Sequence, residues 1–341
     1  MDDAAAAQAA IRFGLGRAAS EPPAGDPQNW LRAQLGTASA PGPRPDTTAA
    51  LAALLADRQT KPPPGQSQTR ALYRRDALAA LTAGLTTPAP YRERLVRFWT
   101  DHFTVSIRRG QCAGLIGPFI AEAIRPHVTG RFADMLRAVV RHPAMLIYLD
   151  NVASVGPNSR AGRNGKRGLN ENLARECLEL HTVSPASGYT QADVTSFARL
   201  LTGWSIELRV PPTGFRFRPA AHEPGEQTLL GRRFPEGEQG GLEALDFLAT
   251  HPATYRHLAT QMARHFVADH PPSDTVRVIA AVLRDTGGNL GAAAAALIRI
   301  PSAWHPATKL RTPLDLTTAS LRALGVTVAP PQTLGALALM G

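Results

Sequence analysis

A chain of 341 residues with 44% hydrophobic and 19% charged residues can bury a large core, and that balance excludes a chain disordered throughout. The net charge of +10 invites an anionic partner. Only Lys61, Lys166 and Lys309 are lysines, however, and the arginines run from end to end, so nucleic-acid binding is not expected. Two cysteines, Cys112 and Cys177, exclude a disulfide framework and a cysteine-only zinc site.

The first twenty residues lack a basic leader and an apolar core of the signal-peptide kind, and Ala4 to Ile11 reads as a short opening helix. No apolar run approaches the roughly 20 residues a membrane-spanning helix needs, so the default compartment is the cytoplasm. Asp26-Pro27 opens a helix with Trp30, Leu31 and Leu35 on one face. Pro41 to Pro45 breaks the pattern, and Asp46 caps an Ala/Leu-rich helix to about Arg58. Residues 61–67 read as a linker, followed by a helix from about Gln68 to Gly84.

Pro90 opens PYRERLVRFWTDHFTVS, in which Leu95, Phe98, Trp99, His102 and Phe103 make one apolar stripe. His102 thus reads either as a core histidine bonded to a backbone carbonyl or as a ligand or base facing the next element. Helices follow at about Pro118 to His127, Phe132 to Arg141 and Pro143 to Leu149. Asp150 to Gly168 is a Gly-, Asn-, Ser- and Arg-rich loop of the length that carries function or disorder. Phe215 to Phe234 reads as a β-hairpin with His222-Glu223 at its bend. Helices resume at Gly241 to Thr250, Pro252 to Asp269, Ser273 to Arg284, Asn289 to Ile300 and Pro313 to Leu324. The fold class is therefore all-α, a single multi-helix domain over 1–341 with a small β-hairpin insert at 211–235. Residues 1–60 form its N-terminal helices, 68–210 the central helices and 236–341 the C-terminal ones.

The chemistry concentrates at Gly168 to Trp204. Asn170 can cap a helix carrying Glu171, Arg175, Glu176, Glu179 and His181, with Leu173, Cys177, Leu178 and Leu180 spread around it. A helix apolar on every side is buried, and buried charges must be paired or bind something. Three readings stay open: a solvated helix with i,i+4 ion pairs, a buried structural network, and a functional site. In the last, Glu176, Glu179, His181, Arg175 and His102 are the candidate catalytic residues. His181, Glu179, His102, His222 and Asp150 form a candidate ligand set for a divalent metal. The spacings of His-Glu-x-x-His and of di-iron bundles are absent, as are Gly-x-Ser-x-Gly, Walker and dinucleotide fingerprints. Thr190 to Asp193 reads as a capping box, and Trp204 as core.

The pieces RFGLG (Arg12 to Gly16), ERLVRFWTDHFTVS, EAIRPHVTGRFADMLRAVVRHPAMLIYLDN, GLNENLARECLELHTV, GYTQADV with LTGW, FRFRPAAHEPGEQTLLGR, RHFVADHPP and KLRTP resemble, in order, the family called domain of unknown function 1800. The resemblance implies a mostly helical bacterial protein of no established biochemical role. It also implies a companion of the sulfatase- or alkaline-phosphatase-like type, often in an exported setting. Where that family usually has a Leu-Gly turn after its His-Thr, this chain has Val183-Ser184-Pro185. Relatives typically continue beyond the equivalent of Leu339-Met340-Gly341, so the chain reads as truncated. Two functions follow as expectations. One is a metal-assisted hydrolase built on the Glu/His cluster. The alternative is a non-catalytic accessory protein that binds a partner through the Asp150 to Gly168 loop and the hairpin.

Overall fold

Helix starts in this chain are set by short polar side chains followed by proline or a good helix former. Asp26 accepts a hydrogen bond from the Asn29 amide, Asp46 from Thr48, Ser67 from Arg70 and Thr312 from Asp315. Two histidines do the same work in the repeated tripeptide His-Pro-Ala. His142 Nδ1 accepts from the Ala144 amide at 3.1 Å, and His251 Nδ1 from the Ala253 amide at 3.2 Å. The computed structural model describes residues 3–18, 25–37, 46–163, 165, 168–305 and 309–340. The break expected at Pro41 to Pro45, and Lys166 and Arg167 of the basic loop, lie outside them.

Within the described residues the chain is mainly α, with two small antiparallel two-stranded sheets as its β insert. Principal helices are Pro27–Leu35, Thr47–Thr60, Gln68–Thr86, Pro90–His102, Phe132–Arg141, Gln191–Leu200, Glu238–Ala249, Pro252–Phe266, Ser273–Asp285, Leu290–Arg299 and Pro313–Ala323. The expected single hairpin from Phe215 to Phe234 is corrected. Strand β1 (Trp204–Glu207) pairs with β2 (Gly214–Phe217), and β3 (Gln227–Leu229) pairs separately with β4 (Arg232–Phe234). The 3-10 turn Pro219–Ala221 diverts the chain between them, so Phe215 faces Ile206 and not the second hairpin. Sequence reading missed β1 because the helical pattern runs up to Trp204.

One hydrophobic cluster joins nearly all these elements, around the fully buried Trp99, Phe103, Phe132, Phe197 and Trp204. Complete burial of each such ring contributes about 1.5–3 kcal/mol. Three buried arginines close the N-terminus onto the C-terminal helices. Arg322 donates to the Gly16, Gly84 and Leu85 carbonyls, Arg94 to Gly14 O, and Arg12 to Val267 O and His305 O. This explains RFGLG physically: at Gly16 (φ +86°) a Cβ would lie 2.7 Å from the Ala319 Cβ. Burial alone would raise the Asp315 carboxyl. Arg94 and Arg97, each 3.3 Å away, outweigh it and hold the carboxyl below its ordinary range.

Candidate functional site

The central segment is not one α-helix. It is α-helical over Asn172–Glu176 and widens into a π-helix over Cys177–His181. Asn170 opens it as a turn residue, its Oδ1 accepting from the Asn172 amide at 2.9 Å, while the formal N-cap is Glu171. After His181 the Thr182 hydroxyl donates to Cys177 O at 2.6 Å and the Ser184 amide to Leu178 O at 2.8 Å, which ends the helix. The wider turn rotates Leu180 outward, where it is 51% exposed, and drives His181 into the core.

Glu171 and Arg175 form the i,i+4 pair at 3.0 Å, extended by Gln191 and Thr195 donating to Glu171. Hydrogen bonds from Thr195, first of all, hold the Glu171 carboxyl below its ordinary value. Glu176 and Glu179 are half-buried, and burial followed by the charge of Glu179 pushes the Glu176 carboxyl up. Tyr189 lies within their field: burial first, then Glu179, raises its phenol. Cys177 is fully buried, as a small hydrophobe would be, and burial pushes its thiol up.

His102 reaches the central segment and bonds a carbonyl of it. Its Nε2 lies 3.1 Å from His181 O, and the two rings are 6.0 Å apart. His257, on Pro252–Phe266, joins them: its Nε2 lies 2.9 Å from Leu180 O, and its ring is 6.1 Å from that of His102. Both imidazoles therefore donate to the last carbonyls of the π-helix, which have no partner within the helix itself. Burial pushes His102 and His181 down to about 3, so both are neutral and weakly basic. His181 Nδ1 is enclosed and has no hydrogen-bond partner among the described residues. His257 was missed in the sequence; its signal was its position in THPATYRH, six residues after a His-Pro helix start.

The remaining sequence candidates lie in other surroundings. Thr202 O accepts from His222 Nδ1 at 2.8 Å, and the Gly237 amide donates to Nε2 at 2.9 Å, so both ring nitrogens are in use. Asp150 sits at φ +59° and is ion-paired with Arg109. The expected ligand set of His181, Glu179, His102, His222 and Asp150 is thus not assembled. Among the described residues no group of three or more His, Cys, Asp or Glu side chains could hold a metal ion. The physical reason is that His102, His222 and Asp150 each meet a nearby carbonyl, amide or guanidinium, while the His181 ring is enclosed in the core. Glu223 is buried and accepts from the Asn158 amide (2.9 Å) and side chain (2.6 Å), and Ala221 O accepts from the Gly156 amide. The loop after Asp150 is in this way fastened to the β insert.

A polar cleft of about 380 Å³ lies elsewhere, between the start of Thr47–Thr60, the π-helix Ile120–Ile124, the Arg141-His142-Pro143 corner and Phe215 of β2. Sequence reading did not single out its residues. Glu122 accepts from the Thr47 amide at 3.0 Å and hydroxyl at 2.8 Å, and Thr47 Oγ1 lies 3.0 Å from His142 Nε2. Because His142 Nδ1 accepts from the Ala144 amide, its proton is on Nε2 and points at Thr47. This tautomer donates to the threonine and cannot deprotonate it, so the trio is not an activated nucleophile.

Fold and site together define a mainly helical protein with a fastened β insert, a neutral histidine cluster against its central helix and a separate polar cleft. The chain belongs to the family described as Protein of unknown function (DUF1800), whose model matches residues 8–341. No curated protein and no solved structure matches it.

Proposed function

We propose that this protein is a non-catalytic accessory protein that docks an acidic protein partner through its β insert and the loop that follows Asp150. The observation that carries the reading is the latch of Glu223 onto Asn158. It makes one surface of two segments that are separate in sequence. On that surface Arg160, Arg163, Arg209, Arg216, Arg218, Arg232 and Arg233 are exposed. Against them stand the exposed Glu226 and Glu236, and Glu207, which is ion-paired with Arg216. Val210, 63% exposed beside Arg209, supplies an apolar anchor at the rim. No described helix is long and apolar enough to cross a membrane.

The companion implied by the family resemblance, of the sulfatase- or alkaline-phosphatase-like type, is the partner to test. Co-purification should succeed at low salt, weaken with ionic strength, and be lost in the Arg160→Glu/Arg163→Glu/Arg209→Glu variant. Binding that ignores both salt and charge reversal would sink the reading. So would no binding by the wild-type chain.

A hydrolytic role for the central helix is the second reading. The observation in its favour is the half-buried pair Glu176 and Glu179, in which burial and the charge of Glu179 push the Glu176 carboxyl up. It requires that Glu176→Gln remove a hydrolytic activity found with ester or glycoside probes while leaving companion binding intact.

A further inference from the structure

We propose that the cleft between Thr47, Glu122, His142 and Phe215 is a binding site for a small organic cation carrying a primary ammonium group. In a chain of net charge +10, the charged side chains lining this cleft are Asp46, Glu122 and Arg141. Arg141 is already matched: its Nη2 donates to Glu238 at 2.8 Å, and its guanidinium lies 4.3 Å over the Phe215 ring. His142 is buried and neutral in the tautomer described above, burial pushing it down against the opposing pull of Glu122. Among the described residues, Asp46 and Glu122 therefore remain as the negative charges on the cleft wall without a cationic partner.

Glu122 is built to stay ionised. Burial alone would raise its carboxyl, but the nearby His142 ring and the hydrogen bonds from the Thr47 amide and hydroxyl outweigh that and hold it below the ordinary carboxylate range. Its side chain is nonetheless 44% exposed, so its oxygens keep lone pairs facing the cleft. An anion is disfavoured in the same place, because the Thr47 amide at the helix start already serves Glu122. One more polar group belongs to the same lining. Thr213 Oγ1 is enclosed on the cleft lining and has no hydrogen-bond partner among the described residues. Ala123, Ala138 and the Phe215 ring supply the apolar side that an aliphatic ammonium needs. The volume, about 380 Å³, falls at the lower end of small-molecule sites.

Calorimetric titration of the full chain with 1,4-diaminobutane and with its neutral isostere 1,4-butanediol tests the assignment. The diamine should bind at one site, and the diol at least about tenfold more weakly. Glu122→Gln keeps an acceptor for Thr47 while removing the charge, and should reduce diamine affinity about tenfold with an unchanged circular dichroism spectrum. Asp46→Asn, which preserves a helix-capping side chain, should do so to a smaller extent. Equal binding of diol and diamine, undiminished binding by both variants, or no diamine binding at millimolar concentration would each overturn the proposal. So would competition for the site by inorganic phosphate.

Discussion

Ser184 holds the least favourable backbone of the central region, at φ +59° and ψ 164°. That region is essentially restricted to glycine and costs a side-chain-bearing residue about 1–3 kcal/mol. Three restraints keep it there: the Ser184 amide on Leu178 O, the Ser187 amide on Ser184 O, and the extended preference imposed by Pro185. The position is the one at which the family resemblance implies glycine after the His-Thr pair. Ser184→Gly should therefore stabilise the protein, by about 1 kcal/mol once the extra freedom of glycine in the unfolded chain is subtracted. Denaturant melts should show a higher midpoint at constant slope; a lower midpoint would mean that the strain is not there. The same residue shows what sequence could and could not say. The departure from Leu-Gly was legible, but its consequence depended on a dihedral angle imposed by packing behind His181.

At the scale of elements, the π-helix Cys177–His181 depends on two neighbours for its last carbonyls. His102 serves His181 O from Pro90–His102, and His257 serves Leu180 O from Pro252–Phe266. A buried carbonyl left without its donor costs about 1–3 kcal/mol. His102→Phe retains the aromatic contacts with Trp99, Phe103 and Phe132 and removes only the donor. It should lower stability by about that amount, and His257→Phe by less, since that bond is more exposed to water. Urea unfolding of both variants checks this. If His102→Phe matches wild type, the imidazole is packing and not a cap. That His102 faces the central segment was legible from its place on the apolar stripe. So was its bond to a backbone carbonyl; which carbonyl it meets, and that His257 shares the task, were not, because histidine spacing carries no information about backbone orientation.

For the whole molecule, the buried histidines govern acid stability. Burial pushes His102, His181 and His265 down to about 3, against an unfolded value near 6.5. The unfolded chain thus binds more protons than the folded one between those values. Stability is full above about pH 6.5 and falls as pH drops toward 3, by up to about 1.4 kcal/mol per pH unit for each such histidine. His181 is only 4% exposed. Asp101, raised to about 6 by burial and by Asp315, acts in the opposite sense, but its exposed side chain weakens the effect. Thermal unfolding should show a melting temperature that declines steadily from pH 7 to pH 4.5. His181→Gln should flatten that decline, and an unchanged slope would remove His181 from the account.

What the sequence by itself determined is local and short-ranged. Caps, helix-opening prolines and the stripe through Leu95, Phe98, Trp99, His102 and Phe103 act within a few residues, and from them came the mainly helical class and most helix positions. The motif pieces likewise sufficed for the family. Tertiary structure alone decided the rest. The pairing of Gly214–Phe217 with Trp204–Glu207, the fastening of Asn158 to Glu223, and the meeting of Thr47 with Glu122 and His142, 75 and 95 residues away, all join residues distant in the chain. His102 and His222, which looked free to hold a metal, took carbonyls and an amide, and the cleft formed where no motif had marked it.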